Sequence, residues 1–592
     1  MSITPNDPAN FTPTMQGYTG QGSFRFWCQT VLPLVYDDSL SYYELLNKVV
    51  HYLNNTISDV SNLETNVENL FTAYSELQDY VNNYFSSLDV QQEINHKLDE
   101  MAESGELMQM FSWFIGYVTP EMYGATGNGL SDDSEAVQDA INTGRIVICN
   151  GTYLVKDITI SGKVTILGGS FVDNGSSGFM FSIDNNNDEI IDVIIDGAVF
   201  DGNNSANGIS LNHCNDSNIS NCEIKNMNGG ANNSYGLYLN RCRNVTVEDV
   251  STHDISNDNS LPTRGIYSNR SIRTIVKNCV VYDISSGNDG DGIHIIFDGS
   301  QDETEDGCIV SCCKLYNCSK RYIKIQQKNC IIEKCHILED ESTFSASDAS
   351  IAIYDINCTI RDNYINGKSH YQIMLVGSAL EEDVLKNTKI IGNTLKAESA
   401  AVYGALIGNP DNVTKPFNNL IITNNIFLSN DYQKTGILIR NLSGTDLIVS
   451  NNIFDNLSYG IRFRTDANKT GEIDRCSIIG NTFKGIYGTP VLVDPSYTMN
   501  YLSILGNPYN VTNGVSGEIN VIIIRDESYE NNKITIQNNI GNGLDGWRRV
   551  GAYSIIPSKV PDGFVYFNRV NHITLTYYQG TWYNPDGTPY NT

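Results

Sequence analysis

One short phrase constrains this chain more than anything else in it. Between Asn218 and Asn539 it returns about a dozen times: two aliphatic residues, one or two small or polar ones, an Asn or Cys, then another aliphatic. It reads Ile219-Ser-Asn-Cys-Glu-Ile224 and Val276-Lys-Asn-Cys-Val-Val281 early on, then Ile390-Ile-Gly-Asn-Thr-Leu395, Ile421-Ile-Thr-Asn-Asn-Ile426 and Ile448-Val-Ser-Asn-Asn-Ile453. Successive copies lie roughly 22 to 34 residues apart. A period of that size marks a solenoid, whose repeats cannot bury their apolar faces alone and must stack.

A second phrase, Gly-aliphatic-x-aliphatic-x, precedes the first in most periods: Gly208-Ile-Ser-Leu-Asn212, Gly236-Leu-Tyr-Leu-Asn240, Gly292-Ile-His-Ile-Ile296 and, with Tyr for Gly, Tyr322-Ile-Lys-Ile-Gln326. Alternation at period two predicts strands with the aliphatics inward and the x residues outward. Two or three such strands per turn, stacked coil on coil, make parallel sheets around a dry interior. Asn at the turn tolerates left-handed backbone, and its amide can bond the Asn of the next coil. The fold class is therefore mainly β, a single-stranded parallel β-helix.

Composition narrows the function. The 592 residues carry a formal net charge of -30, which argues against duplex nucleic acid and its need for a basic face. There is no apolar run long enough to insert in a membrane, and the opening MSITPNDPANFTP lacks the basic-then-apolar order of a secretory signal. Most of the 14 Cys fall at or beside the repeat phrase, where they read as small buried hydrophobes and not as disulfides. No motif calls for a metal or cofactor.

From about Ser41 to Gln109 the period changes. Tyr43, Leu46, Val49, Val50 and Leu53, then Leu63, Val67, Leu70, Ala73, Leu77, Val81 and Phe85, step by three or four. This seam reads as a coiled coil or long bundle helix, or as a helical hairpin packed on a neighbouring domain. Next comes Gly124-Ala-Thr-Gly-Asn-Gly-Leu-Ser-Asp-Asp-Ser134, a Gly-rich loop before a short helix for which Ser131 is the expected N-cap, with Asp132 and Asp133 serving structure. Past Gly541 the repeat gives way to aromatic, turn-rich sequence ending Tyr577-Tyr-Gln-Gly-Thr-Trp-Tyr583-Asn-Pro-Asp-Gly587.

These stretches carry resemblances. The Gly-rich loop and its helix resemble the entry segment of the pectate-lyase-like superfamily, with Asn128 and Ser134 standing where the usual form has Asp and Thr. That resemblance implies a right-handed β-helix beginning near residue 120. Phe24-Arg-Phe-Trp-Cys-Gln29 through Asn95-His-Lys-Leu-Asp-Glu-Met101 resembles the N-terminal module of tail and appendage proteins of phages infecting Gram-positive bacteria. The tail resembles a short C-terminal module of phage fibres. Together they imply three parts: a virion-anchoring helical module at 1–117, the β-helix at 118–540, and a small β cap at 541–592. They further imply a homotrimeric spike in the virion tail, docked through its N-terminal module on tail or collar proteins and attached to host surface polysaccharide. A mostly uncharged outer face suits lateral packing of three β-helices.

The strand register locates one chemically loaded face. Successive coils lie about 4.8 Å apart. The first outward position of each strand reads Ser210, Tyr238, Tyr267, His294, Lys324, Ala352; the residue before each strand reads Asn207, Tyr235, Arg264, Asp291, Arg321, Ala349. Asp291 between Arg264 and Arg321 is expected to stay ionised, as a base or nucleophile would, leaving Asp289 or Asp298 as the acid of a glycoside hydrolase. A lyase would use Lys or Arg as base. Asp289, Asp291, His294 and Lys324 are the candidate catalytic set. Tyr238 and Tyr267, stacking on sugar rings, and Arg264 and Arg321 are the candidate substrate-binding set. The Asp-Gly-Asp-Gly loop and Arg321-Tyr-Ile-Lys324 resemble elements of polygalacturonase-type hydrolases, although the Gly-His-Gly element of that family is absent. The same residues also read as an ion ladder along the stack, so attachment without cutting and depolymerisation both stand as expectations. His253-Asp254 and His370 read as surface residues.

Overall fold

A computed structural model describes residues 37–85, 90–103, 116–186, 188–297, 306–338, 348–376, 385–398, 403–407, 417–430, 434–466, 469–493, 497–511, 522–524, 534–537, 539, 548–551, 565–568 and 573–590. The Phe24–Trp27 stretch and Asp298 lie outside them. The chain divides into two units, Met1–Leu107 and Met108–Thr592.

Among its described residues the first unit holds two helices, α1 (Tyr42–Phe85) and α2 (Val90–Glu103). A capping box starts α1: the Ser41 N–H donates to Glu44 Oε2 at 2.7 Å and the Glu44 N–H to Ser41 Oγ at 3.3 Å. Near its start Leu45, Val49 and Val50 are buried, whereas Tyr43, expected on the seam, is exposed. Farther along, the seam side chains Leu63, Val67 and Leu70 are 67%, 48% and 64% exposed, and Tyr74, next to the seam position Ala73, is 50% exposed.

The second unit is a parallel β-solenoid. Each coil lays down three short strands, for example Thr263–Asn269, Ile275–Lys277 and Val280–Ile284, which pair in parallel with Gly290–Ile296, Ile309–Ser311 and Lys314–Cys318 of the next coil. Interior columns are aliphatic, such as Val247, Val276, Val310, Ile332 and Ile360, all buried. Each such side chain stabilises the stack by roughly 1.5–3 kcal/mol. In the column of the next strand, Ile365 and Leu395 give way near the far end to a stack of Phe427, Phe454 and Phe483, ring centroids 4.9 Å apart.

At the start, α3 (Ser134–Asn142) turns Ala136, Val137, Ala140 and Ile141 toward the core and packs on the first strands. Its N-cap position is Asp133, not Ser131. The buried Asp133 carboxylate instead ties down the Gly-rich loop, accepting from the Thr126 N–H (2.8 Å), the Thr126 hydroxyl (3.1 Å) and the Gly127 N–H (3.2 Å). Gly127 and Gly129 have φ of +60° and +70°, which the tight loop requires. At the other end the pairing turns antiparallel, Val565–Asn568 with Ile573–Tyr578 and that strand with Thr581–Tyr583.

The repeat phrase divides its labour between two adjacent positions. The residue before the Asn or Cys is left-handed in coil after coil: Asn221, Asp249, Asn278, Cys312, Lys334, Asp362, Gly392, Asn424, Asn451, Gly480 and Gly506 have φ between 52° and 69°. The next residue points inward and bonds along the stack. From Asn363 through Asn539 it is a buried amide ladder, each Oδ1 accepting from the backbone N–H and Nδ2 of the preceding ladder residue at 2.8–3.0 Å once the ladder is under way. One Asn was expected to do both jobs. At this turn the two jobs fall to adjacent residues, whereas at the turn carrying the left-handed Asn357, Asn387 and Asn419 one Asn does both, Asn387 Nδ2 donating to Asn357 Oδ1 at 3.0 Å and Asn419 Nδ2 to Asn387 Oδ1 at 2.8 Å.

Candidate functional site

The two outward columns stand in pairing register. Tyr238, Tyr267, His294, Lys324 and Ala352 are successive partners, as are Tyr235, Arg264, Asp291, Arg321 and Ala349. What register could not supply is cover. Asp291 and His294 are buried, and Arg264, Arg321 and Lys324 nearly so; the Asp289 side chain, 19% exposed, is the most open of the group. The loop carrying Asp289, with Gln326 and Tyr354, closes over the face.

The contacts form one network. Arg321 Nε donates to Asp291 Oδ1 at 2.7 Å, its NH2 contacts Asp289, and its NH1 donates to the Tyr354 hydroxyl at 3.1 Å. Arg264 reaches Asp289 at 3.2 Å. Lys324 Nζ lies 3.5 Å from Asp289 and 3.7 Å from Asp291. Arg264 Nε donates to His294 Nδ1 at 2.7 Å, so that nitrogen is the acceptor and Nε2 carries the proton, facing Gln326 Oε1 at 2.8 Å. The 3.5 Å approach of His294 Nδ1 to Asp291 is then a contact between two acceptors bridged by the cations, not an ion pair. Burial, with Lys324 and Arg264 beside it, pushes the imidazole well below its ordinary range and keeps it neutral.

Asp291 remains ionised at pH 7, although its carboxyl is shifted upward and not downward. Burial outweighs Lys324 and Arg264 and pushes its carboxyl up to about 6. Burial likewise pulls Lys324 down to about 8, against the attraction of Asp291. Both groups are charged at pH 7, and both would be better solvated elsewhere. Three cations enclose two carboxylates, and the carboxylate oxygens of Asp291 meet protein, not solvent.

The tyrosines do not offer free ring faces. Phe179, Tyr235, Tyr238 and Tyr267 stack on one another with centroids 5.1–6.0 Å apart and planes within 16°. The Arg264 guanidinium sits 4.7 Å from the Tyr267 centroid. Sugar stacking on Tyr238 and Tyr267 would have to displace these neighbours, leaving ring edges and hydroxyls as the accessible chemistry.

His370 is exposed, but His253 is not a surface residue. Its Nδ1 lies 2.6 Å from Asp254 and its Nε2 3.0 Å from Glu223, while its ring stacks 4.5 Å from Tyr282, which stacks 4.6 Å from Tyr316. The register argument applied to this strand finds it: Lys225, His253, Tyr282 and Tyr316 are successive partners. Among the described residues no group of three or more His, Cys, Asp or Glu has the geometry to hold a metal ion.

The chain matches no family model. It is 27% identical over 158 residues to the pre-neck appendage proteins of Bacillus phages PZA and phi29, a match covering 26% of this chain and 17% of each relative. The chain thus spans less than a fifth of the length of the curated relatives it matches. Among solved structures, PfbA, a surface adhesin of Streptococcus pneumoniae, is similar with a TM-score of 0.42 at 15% identity, over 71% of this chain and 98% of that one. Tailspike protein 3 of bacteriophage CBA120 is similar with a TM-score of 0.37 at 14% identity, over 81% of this chain and 70% of that one.

Proposed function

We propose that this chain is a phage appendage of the tailspike kind, which attaches the virion to host surface glycan along its β-solenoid. The observation that carries the reading is the sequence likeness to pre-neck appendage proteins of Bacillus phages. The exposed apolar side chains Leu63, Val67, Leu70 and Tyr74 of α1, at steps of four, three and four, support self-association as a coiled coil, and a homotrimer is the assembly we propose. The N-terminal module at 1–117 would then hold the appendage on the tail or collar.

The cluster around Asp291 serves, in this reading, as an ionic clamp between coils. A glycosidase nucleophile or base must reach the anomeric carbon or the attacking water, and Asp291 is enclosed on all sides by its own chain. Sugar contact falls to Asp289 and the edges of the tyrosine stack.

The test is incubation of the purified full-length chain with a panel of bacterial wall teichoic acids and capsular polysaccharides, scoring binding, reducing ends and unsaturated-uronate absorbance together. Binding without new ends is expected. Binding to none of them would sink attachment. Cutting that Asp291→Asn abolishes would replace the clamp with a depolymerase.

A further inference from the structure

We infer that the first coils of the solenoid, beside Phe179, hold a subsite for an uncharged sugar ring of the bound glycan. The inference rests on the attachment reading above and adds to it a place and a charge.

The aromatic stack that runs through Tyr235, Tyr238 and Tyr267 has two unlike ends. At the later end Tyr267 meets the His294 ring at 5.1 Å and the Arg264 guanidinium at 4.7 Å. At the earlier end stands Phe179, which reaches across the coil of its pairing partner Asn207 to stack on Tyr235 at 6.0 Å and Tyr238 at 5.8 Å. Both tyrosines belong to a later coil and lie within 16° of parallel to the phenyl ring, so they occupy one face of it. Among the described residues no ring and no cation stands over the opposite face. Lys156, which the pairing of Ile158 with Phe181 puts in line with Phe179 one coil earlier, carries its ammonium to within 3.6 Å of Asp132 instead.

Beside that ring the strands present polar groups with nothing to bind. Ser182 and Ser210 precede Tyr238 in its outward column. Two serines where later coils have tyrosines leave a shelf about two coils, roughly 10 Å, long. Asp184 and Asn212, each two residues past its serine, edge the shelf. Asn212 Oδ1 accepts from Asn240 Nδ2 at 2.6 Å, but its own Nδ2 has no partner among the described residues. The Ser182 and Ser210 hydroxyls and the exposed Asp184 carboxylate have none there either. The cluster around Asp291 is the reverse case, with its carboxylates already held by Arg264, Arg321 and Lys324.

The chemistry of the shelf selects its occupant. A sugar ring joins an apolar C–H face to a rim of hydroxyls that both donate and accept. Phe179 offers a bare ring face for the first. Asp184 as acceptor, Asn212 as donor and two serine hydroxyls that do either serve the second. Asp184, in a chain of net charge -30, repels a uronate or a phosphate, so the ring held here is uncharged. A second copy of this chain would bring the same negative charge to the shelf.

The experiment titrates the full-length chain with neutral polymers of glucose, galactose and N-acetylglucosamine, with polygalacturonate and poly(glycerol phosphate) as charged arms, and with the panel of wall polymers named above. A neutral polymer bound at least tenfold more tightly than the charged arms is expected. Phe179→Ala, and Ser182→Gln, which fills the shelf without adding charge, should each weaken that binding at least tenfold, with circular dichroism and sedimenting mass unchanged. Asp184→Asn should narrow the preference over the charged arms at least threefold. A neutral polymer that both variants bind as wild type does overturns this inference and leaves attachment standing, as does a chain that binds only charged polymers. Loss in Phe179→Ala alone would assign the ring to holding the tyrosine stack, and a fall in sedimenting mass would assign it to a contact between copies; either overturns the subsite. Binding to no polymer at all overturns both readings.

Discussion

The early and late coils close the same turn with different chemistry. At the inward position of the repeat phrase the early coils hold Cys222, Val250, Cys279, Cys313 and Cys335; the late ones hold Asn363, Asn393, Asn425, Asn452, Asn481, Asn507 and Asn539. Both kinds of side chain point at the same carbonyl. Cys313 Sγ lies 3.6 Å from the Val276 oxygen and Cys335 Sγ 3.8 Å from that of Val310, where Asn425 and Asn452 donate to Ile390 and Ile422 at 2.9 Å. A thiol is a weak donor and weaker acceptor, so the early ladder is held by packing. Cys279 stays protonated, pushed well above the usual thiol range by its neighbour Cys313 and by burial. The amide ladder also bonds backbone N–H groups that point into the core, groups that would otherwise be costly to bury. The early coils carry a different tie on another strand, where the Asp289–Asp291 network joins Arg264, Arg321 and Lys324 of successive coils.

Alanine at equivalent positions tests this difference most directly. Asn425→Ala removes the acceptor of the Asn393 N–H and the donor to the Ile390 carbonyl, both buried. At about 1–3 kcal/mol per orphaned group the loss should reach about 3–5 kcal/mol. Cys313→Ala removes only a packed sulfur and should cost about 1–2 kcal/mol. Denaturant midpoints of the two variants would settle it, and equal shifts would break the comparison.

The ionic network has its own signature in pH. Asp291 is raised in the folded chain from 3.8 to about 6, so its favourable contribution is complete below 3.8 and is lost as pH rises through 6. Lys324 is depressed from 10.5 to about 8, so its favourable contribution is present above 10.5 and lost as pH falls through 8. Between 6 and 8 the clamp is fully charged and at its least favourable. At about 1.4 kcal/mol per unit, the stability of wild type relative to Asp291→Asn should fall by up to about 3 kcal/mol from pH 4 to 7. A flat difference across that range would mean that the carboxyl is solvated and the network open.

Much of this was legible beforehand, and the limit has a physical cause. Period and alternation dictate which residues are neighbours along the stack, and both columns through Asp291 fell into place on that ground alone. They do not dictate what lies above a face. Tyr354 and the Asp289 loop cover Asp291, and cover reverses the sign of its shift. Ring stacking of Tyr238 on Tyr267 follows from the 4.8 Å spacing itself, yet it removes the free faces that sugar binding was expected to use.

Gln372, beside the junction of the two ladders, sharpens the contrast in a smaller way. It occupies the inward position held by Gly236, Gly265 and Gly292 in early coils and by Gly436 and Gly460 in late ones. It is fully buried, and neither end of its amide meets a partner. Burying an unbonded amide is unfavourable, so Gln372→Leu should raise stability by about 1–2 kcal/mol, read from the same denaturant midpoints. No gain, with an ordered water found on the amide, would make this site part of the amide ladder's polar seam.

The smallest effect lies one residue before the ladder. Late coils place Gly392, Asn424, Asn451, Gly480 and Gly506 at the left-handed position; the early coils place Asn221, Asp249 and Asn278 there but also Cys312 and Lys334, at φ of 55° and 54°. A Cβ in that region meets the following carbonyl, a strain that Asn offsets by local hydrogen bonding and Gly avoids. Lys334 is exposed and has no packing to lose. Lys334→Asn should therefore stabilise by about 0.5–1 kcal/mol, and Lys334→Gly by a similar or smaller amount after its unfolded-state entropy is counted. Lys334→Ala, which keeps the Cβ, should give nothing. A gain from Ala equal to that from Asn would show that the lysine side chain, not the backbone, is the source of the strain. The early turns would then differ from the late ones only in their inward residue.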